Sequence, residues 1–222
     1  MAIGLLILGT AALVFAVFAP TTASSTEDRT VPIDPGNADP DAVLAKVGGV
    51  DISTPIRPSS LTGLGYHPEG DTLVEMEPRG KNLSANPLLS LVWGGSTPED
   101  IRYHVMESAD REGPKMGALD VGAAAGATVH SPVSGEITSI RPDPAVEDAN
   151  IIEIQPEGNP NLRVTVSLVE SEAESAGVNS PVVAGTTELG VVADSAEVLD
   201  PQLSTYTGDA GNHVTISASN VG

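Results

Sequence analysis

The feature that most limits how this chain can fold is a succession of short apolar segments in its second half. From Gly117 onward, clusters of Gly, Pro, Asn and Asp separate segments in which apolar and polar residues tend to alternate. These segments are ATVHSPVSGEITSI, NIIEIQPEG, LRVTVSLVE, SPVVAGTTELGVVA and NHVTISAS. Alternation with a period of two is typical of half-buried strands, and many short strands favour a sandwich or barrel. The sequence therefore predicts an all-β domain, a β-sandwich or barrel, over residues 109–222.

The N-terminus has a different composition. Residues 1–19 are apolar and uncharged, and about 20 such residues cross a hydrocarbon layer of ~30 Å. We predict a single N-terminal transmembrane anchor that places the remainder outside the cytoplasm in the cell envelope. The small residues Thr21-Thr22-Ala23 offer a weak cleavage site, and cleavage there would make the protein secreted.

Two regions separate the apolar run from the all-β domain. Residues 20–60 are rich in Pro, Ser, Thr and Asp and are predicted to form a flexible linker. Within it, residues 39–50 have an acidic start and terminal glycines, which predict a short helix. Residues 61–108 are predicted to form a lead-in region of small strands and loops, with one strand near residues 101–107 from which His104 points outward.

Composition excludes several classes of function. The 222 residues include 30 acidic and 10 basic side chains, for a net charge of -20. A charge of this sign repels nucleic-acid phosphates, so no nucleic-acid partner is expected. The sequence contains no cysteine, which excludes disulfides, thiolate metal sites and a cysteine nucleophile.

A series of weak motifs follows one another in a specific order. They are Met116-Gly-Ala-Leu-Asp120, Gly126-Ala-Thr-Val129, Ser134-Gly135-Glu-Ile137, Ser167-Leu168, Val183-Ala-Gly185 leading to Leu189-Gly190, and Gly211-Asn-His213-Val-Thr215. This order resembles the lysostaphin-type, or LytM-like, zinc endopeptidase family, whose members cut peptide cross-links of bacterial peptidoglycan. The resemblance covers about residues 116–219 and implies the LytM-like fold, a duplicated hybrid motif.

The residues at the positions implied by the resemblance differ from those of an active enzyme. A hydrolytic zinc site needs three protein ligands and an open position for water. The resemblance assigns the ligands to positions 116, 120 and 215, where only Asp120 remains a suitable ligand, because Met116 is a thioether and Thr215 a neutral hydroxyl. Of two assisting histidines, His213 remains and the other position holds Ser167. We therefore expect Asp120 and His213 to be retained without a cofactor.

Three functional hypotheses follow. The leading one is a pseudoenzyme: a non-catalytic, membrane-anchored, extracytoplasmic module that binds, scaffolds or regulates in peptidoglycan processes. Its partner would be a cell-envelope protein or a peptidoglycan peptide. The alternative is an active zinc metalloendopeptidase in which His130 or His67 joins Asp120 and His213. The third hypothesis is an interaction protein whose groove is filled by its own loops.

The histidines proposed to rebuild the metal site also have simpler explanations. His130 fits a strand histidine that packs or is half-exposed. His67, in Gly-Tyr-His-Pro-Glu-Gly, fits a turn residue whose imidazole bonds a backbone group. Asp120 could satisfy turn amides without any metal.

Overall fold

Across residues 42–84, 101–171 and 175–221, which the computed structural model describes, almost all regular structure is β-strand. The strands are β1 Val43–Val47, β2 Val50–Ser53, β3 Gly63–His67, β4 Glu77–Pro78, β5 Lys81–Asn82, β6 Arg102–Val105, β7 Ala118–Gly122, β8 Thr128–His130, β9 Gly135–Pro142, β10 Ala149–Pro156, β11 Leu162–Glu170, β12 Pro181–Val182, β13 Glu188–Val192 and β14 His213–Asn220. Helical structure in these ranges is confined to a 3-10 turn, Pro58–Ser60, and a one-turn helix α1, Ser204–Thr207. The expected all-β class is confirmed.

The larger sheet has the strand order β12-β9-β10-β11-β14-β7-β3-β6-β5, and β13 pairs with both β11 and β8. Its pairs are antiparallel except that β6 runs parallel to β3 and to β5. The order starts at β12 and ends at β5 without returning to its first strand. The described sheet is therefore open at both ends. The sequence predicts a sandwich or a barrel, and the described strands do not form a closed barrel.

Alternation of side chains explains how the central strands pack. In β11, Leu162, Val164 and Val166 are buried, and the residues between them are half-exposed. Val164 and Val166 lie opposite the buried Ala218 and Ile216 of β14. Cross-strand pairs of this kind stabilise a sheet because both side chains leave water on the same face.

A smaller sheet has the strand order β2-β1-β4. Its strands β1 and β2 lie in the region predicted to be a linker, and β4 lies in the predicted lead-in region. β1 and β2 are joined by Gly48 and Gly49, whose φ angles are 55° and 86°. Two successive residues with positive φ form the type I′ turn that best suits a two-residue hairpin. The short helix predicted at residues 39–50 is therefore wrong from residue 43 onward, because the glycine pair turns the chain instead of ending a helix.

The region predicted as a lead-in, residues 61–108, contributes strands to the larger sheet. β3 lies between β7 and β6, and its Tyr66 packs edge-to-face on Tyr103 of β6 at a centroid distance of 5.1 Å. The described residues all belong to one compact unit, Ile33–Gly222. Strands on both sides of the boundary at residue 109 therefore share a sheet.

The predicted anchor, residues 1–19, and residues 20–41 of the predicted linker lie outside the described ranges. Within those ranges, no helix combines the length and apolar character needed to cross a bilayer.

Candidate functional site

The register of three adjacent strands brings the retained site positions together. Thr215 of β14 lies opposite Asp120 of β7, and Asp120 lies opposite Gly65 of β3. On β14, His213 lies two residues before Thr215, and on β3, His67 lies two residues after Gly65. Because side chains two apart in a strand share a face, all four polar side chains project from the same side of the sheet.

Asp120 is the centre of this cluster. Its carboxylate Oδ1 accepts hydrogen bonds from Thr215 Oγ1 at 2.7 Å and from His67 Nε2 at 3.0 Å, while the residue is only 5% exposed. Burial favours the neutral acid, but the nearby His213 ring and the bonds from His67 and Thr215 together lower the pKa of Asp120. Asp120 is therefore a buried, ionised carboxylate.

His67 is the cation that faces Asp120. Its Nδ1 bonds the carbonyl oxygen of Pro68 at 2.9 Å, and its Nε2 bonds Asp120. A carbonyl and a carboxylate can only accept, so both ring nitrogens must carry hydrogen and the ring is an imidazolium. Burial opposes this charge, but hydrogen bonds to Asp120 and Glu69 raise the pKa of His67 to about 9.

The charges continue from His67 toward the surface. Glu69 Oε2 lies 3.3 Å from His67 Nδ1 and 3.2 Å from Arg111 Nη1. Glu69 and Arg111 are partly exposed, with side-chain exposures of 46% and 33%. Positive and negative groups thus alternate from Arg111 at the surface to Asp120 in the interior.

His213 has a different role from His67. Its Nδ1 donates to the carbonyl oxygen of Gly211 at 2.7 Å. Its Nε2 lies 3.7 Å from Asp120 Oδ2, which is too long for a hydrogen bond. The ring is therefore oriented toward Asp120 without being bonded to it.

The other positions implied by the resemblance do not supply metal ligands. Met116 is partly buried against the core, and Thr215 uses its hydroxyl hydrogen on Asp120. Ser167 lies opposite Thr215, and its Oγ is 3.5 Å from the Thr215 carbonyl oxygen. Among the described residues, no group of three or more His, Asp or Glu side chains is arranged to hold a metal ion. Of the three positions that the resemblance assigns to zinc ligands, only Asp120 carries a donor that zinc commonly binds.

His130 lies outside this cluster. On β8, its Nδ1 faces the carbonyl oxygen of Pro55 at 3.3 Å, and its Nε2 faces Arg57 Nη2 at 3.4 Å. Burial, followed by the positive charge of Arg57, lowers the pKa of His130. The partners of both ring nitrogens are therefore Pro55 and Arg57, and neither is Asp120.

The sequence indicates Asp120 and His213 as retained positions and His67 only as an alternative ligand. The described pairing of β3 with β7 is what brings His67 to Asp120, from 53 positions away along the chain. A sequence signal existed, since Gly63 to His67 precedes the turn residues Pro68-Glu69-Gly70. It indicates a strand end but not which strand lies beside it.

Comparisons with known proteins add little to this geometry. No family model and no curated protein matches the chain. Two solved structures of Helicobacter pylori Csd3 are similar to it. The structure from the hexagonal crystal has 17% identity and a TM-score of 0.35, covering 52% of this chain and 26% of Csd3. The structure from the orthorhombic crystal has 15% identity and a TM-score of 0.37, covering 82% of this chain and 34% of Csd3.

The chain thus spans about a third or less of the Csd3 length. Similarity at this level does not establish a common fold.

Proposed function

We propose that this protein is a non-catalytic, extracytoplasmic binding or regulatory module of the cell envelope, anchored by its N-terminal apolar segment. The observation that carries the proposal is the pairing of Asp120 with the His67 imidazolium. In a hydrolytic zinc site the carboxylate would bind the metal. Here a side chain of the protein neutralises it.

The bonds around Asp120 explain why this arrangement would resist conversion to a metal site. Oδ1 already accepts two hydrogen bonds. For His67 to become a ligand it would have to lose the proton on Nε2 and its bond to Asp120. His130 would have to leave Pro55 and Arg57. The alternative, an active zinc endopeptidase, therefore requires breaking bonds that the folded chain makes.

The expected partner is a peptidoglycan peptide or a cell-envelope protein. This part of the proposal rests on the order of motifs between Met116 and Thr215 and on the predicted anchor. The net charge of -20 favours a partner surface that is neutral or basic.

The test combines binding and hydrolysis on one substrate. Purified protein would be mixed with isolated peptidoglycan sacculi, with and without added zinc. We expect the protein to sediment with the sacculi and to release no soluble peptide fragments in either case. If the protein does not sediment with the sacculi, peptidoglycan is not its partner and a cell-envelope protein is the remaining candidate.

Zinc-dependent release of fragments would overturn the proposal. The control for that outcome is Asp120→Ala, because a true metal site would lose hydrolysis when its carboxylate ligand is removed. Fragment release that persists in Asp120→Ala would instead identify a contaminating hydrolase.

A further inference from the structure

One segment of the chain lies over the sheet beside the candidate site. Residues 195–211 connect β13 to β14 and contain α1, which ends at Gly208 with φ 75°. We call this segment the strap. Its anchor on the sheet is Leu203, which is completely buried.

Leu203 occupies a depression made by three glycines. A Cβ placed on Gly65 would lie 3.1 Å from Leu203 Cδ1, one on Gly122 would lie 2.9 Å from Cδ2, and one on Gly63 would lie 4.0 Å from Cδ1. Side chains at Gly65 and Gly122 would therefore meet Leu203. The depression exists because β3 and β7 have glycine at these positions.

The depression adjoins the polar cluster directly. Gly122 lies opposite both His213 and Gly63, and Gly65 lies opposite Asp120. Residues opposite each other on neighbouring strands project to the same face. Leu203 therefore covers the sheet face from which Asp120 and His213 project.

The strap is attached by side chains and not by the sheet ladder. Within the described ranges, every backbone-to-backbone hydrogen bond made by residues 196–210 has its partner inside the strap. For example, the amides of Tyr206 and Thr207 both donate to the carbonyl oxygen of Leu203. Side chains of the strap contact residues outside it. Gln202 Oε1 accepts a hydrogen bond from Arg111 Nη2 at 3.1 Å. The ring of Tyr206 lies 4.7 Å from that of His104. The strap can therefore lift without unpairing a strand.

We propose that the strap is a lid that opens about its ends near Ser195 and Gly211 and uncovers the glycine-floored face beside Asp120 and His213. Release of Leu203 from its depression is the main barrier to opening. The opening itself is independent of any partner. Binding of a ligand to the uncovered face, in contrast, rests on the proposed function.

The lid can be locked by an engineered disulfide. A Cβ on Gly63 would lie 3.8 Å from Thr207 Cβ, which matches the separation in natural disulfides. The chain has no cysteine of its own, so the double variant Gly63→Cys/Thr207→Cys forms one bridge without competition. Each sample serves as its own control when the bridge is reduced.

The readout is the rate at which diethyl pyrocarbonate modifies each histidine, resolved by peptide mass spectrometry. We expect oxidation of the double variant to slow the modification of His213 at least tenfold, and reduction to restore it. His130 lies elsewhere and should react at one rate in both forms. Equal His213 rates in the oxidised and reduced forms would overturn the proposal. Failure of the cysteines to pair would contradict the placement of α1 on β3.

A second variant tests the anchor in the opposite direction. Leu203→Ala should accelerate the modification of His213 about tenfold, whereas Val198→Ala, at a strap position 64% exposed, should not change it. Urea unfolding of both variants identifies global unfolding as a separate cause. If Leu203→Ala remains folded and His213 reacts at the original rate, Leu203 does not hold a lid. Because this test needs no ligand, its failure leaves the proposed binding function standing.

Discussion

Asp120 and His67 form a buried ion pair, at a site where burying either charge alone would strongly destabilise the fold. Their side chains are 7% and 2% exposed, and an isolated buried charge is strongly unfavourable. The pair is stable because Thr215 and Pro68 satisfy further hydrogen-bonding positions on the two partners. Removing one partner of such a pair typically costs about 3 to 5 kcal/mol.

The raised pKa of His67 predicts how stability depends on pH. The pKa is about 9 in the folded protein against an ordinary value of 6.5. The stabilisation from His67 is therefore fully present below about pH 6.5 and is lost as the pH rises through about 9. The free energy of unfolding should fall over this window by an amount on the order of 3 kcal/mol. Urea unfolding at pH 6.5, 7.5, 8.5 and 9 measures it.

The matched control for this pH dependence is His67→Gln. Glutamine can still donate one hydrogen bond to Asp120 but does not titrate, so the decline between pH 6.5 and pH 9 should largely disappear. An equal slope in the variant and the parent protein would show that His67 is not the responsible group.

At this scale the sequence indicates Asp120 and His213 as candidate site residues, and the structure places their side chains close together. Asp120 and His213 lie in motifs with recognisable spacing, and the strands that carry them, β7 and β14, pair in the structure. His67 could not be assigned as the partner of Asp120, because their contact depends on which strand lies beside β7. Strand alternation fixes the face of a side chain but not the neighbour of its strand.

At the scale of elements, the strands after Gly117 were predictable and the first hairpin was not. The segment NIIEIQPEG contains β10 except for its first residue, Ala149, and LRVTVSLVE is β11. Their apolar alternation corresponds to the observed burial. The sequence around Gly48 and Gly49 predicts the end of a helix. Glycine follows both helices and hairpin strands, and here the antiparallel pairing of β1 with β2 shows that the glycines form a hairpin turn.

The hairpin predicts a specific sensitivity at Gly49. Nothing lies within 4 Å of a Cβ placed there, so any cost of Gly49→Ala comes from its φ of 86°. We expect a loss of about 1 to 2 kcal/mol in the free energy of unfolding, measured by urea denaturation. Gly177→Ala is the control, because that site is equally open and has no positive φ. An equal effect of the two substitutions would contradict the turn assignment.

At the scale of the whole molecule, the strand order joins regions that the sequence separates. The motif resemblance begins near Met116, and the sequence therefore predicts a domain from residue 109 onward. β3 and β6 precede that boundary, yet β3 pairs along all of β7. Tyr66 of β3 is 1% exposed and donates its hydroxyl hydrogen to the carbonyl of Leu44 at 3.1 Å. β3 therefore connects the small sheet, the cluster at Asp120 and the larger sheet.

This connection predicts that residues 109–222 do not fold on their own, whereas residues 42–222 do. The shorter fragment lacks β3, so β7 loses one partner strand and Asp120 loses its cation. The loss of Tyr66 alone is comparable to other buried aromatic truncations, at about 3 to 5 kcal/mol, and domains are stable by only about 5 to 15 kcal/mol. Far-UV circular dichroism during urea titration should show a cooperative transition for residues 42–222 and none for residues 109–222. A cooperative transition of similar midpoint in both fragments would mean that β3 is an accessory strand and that the motif-bearing half is an independent domain.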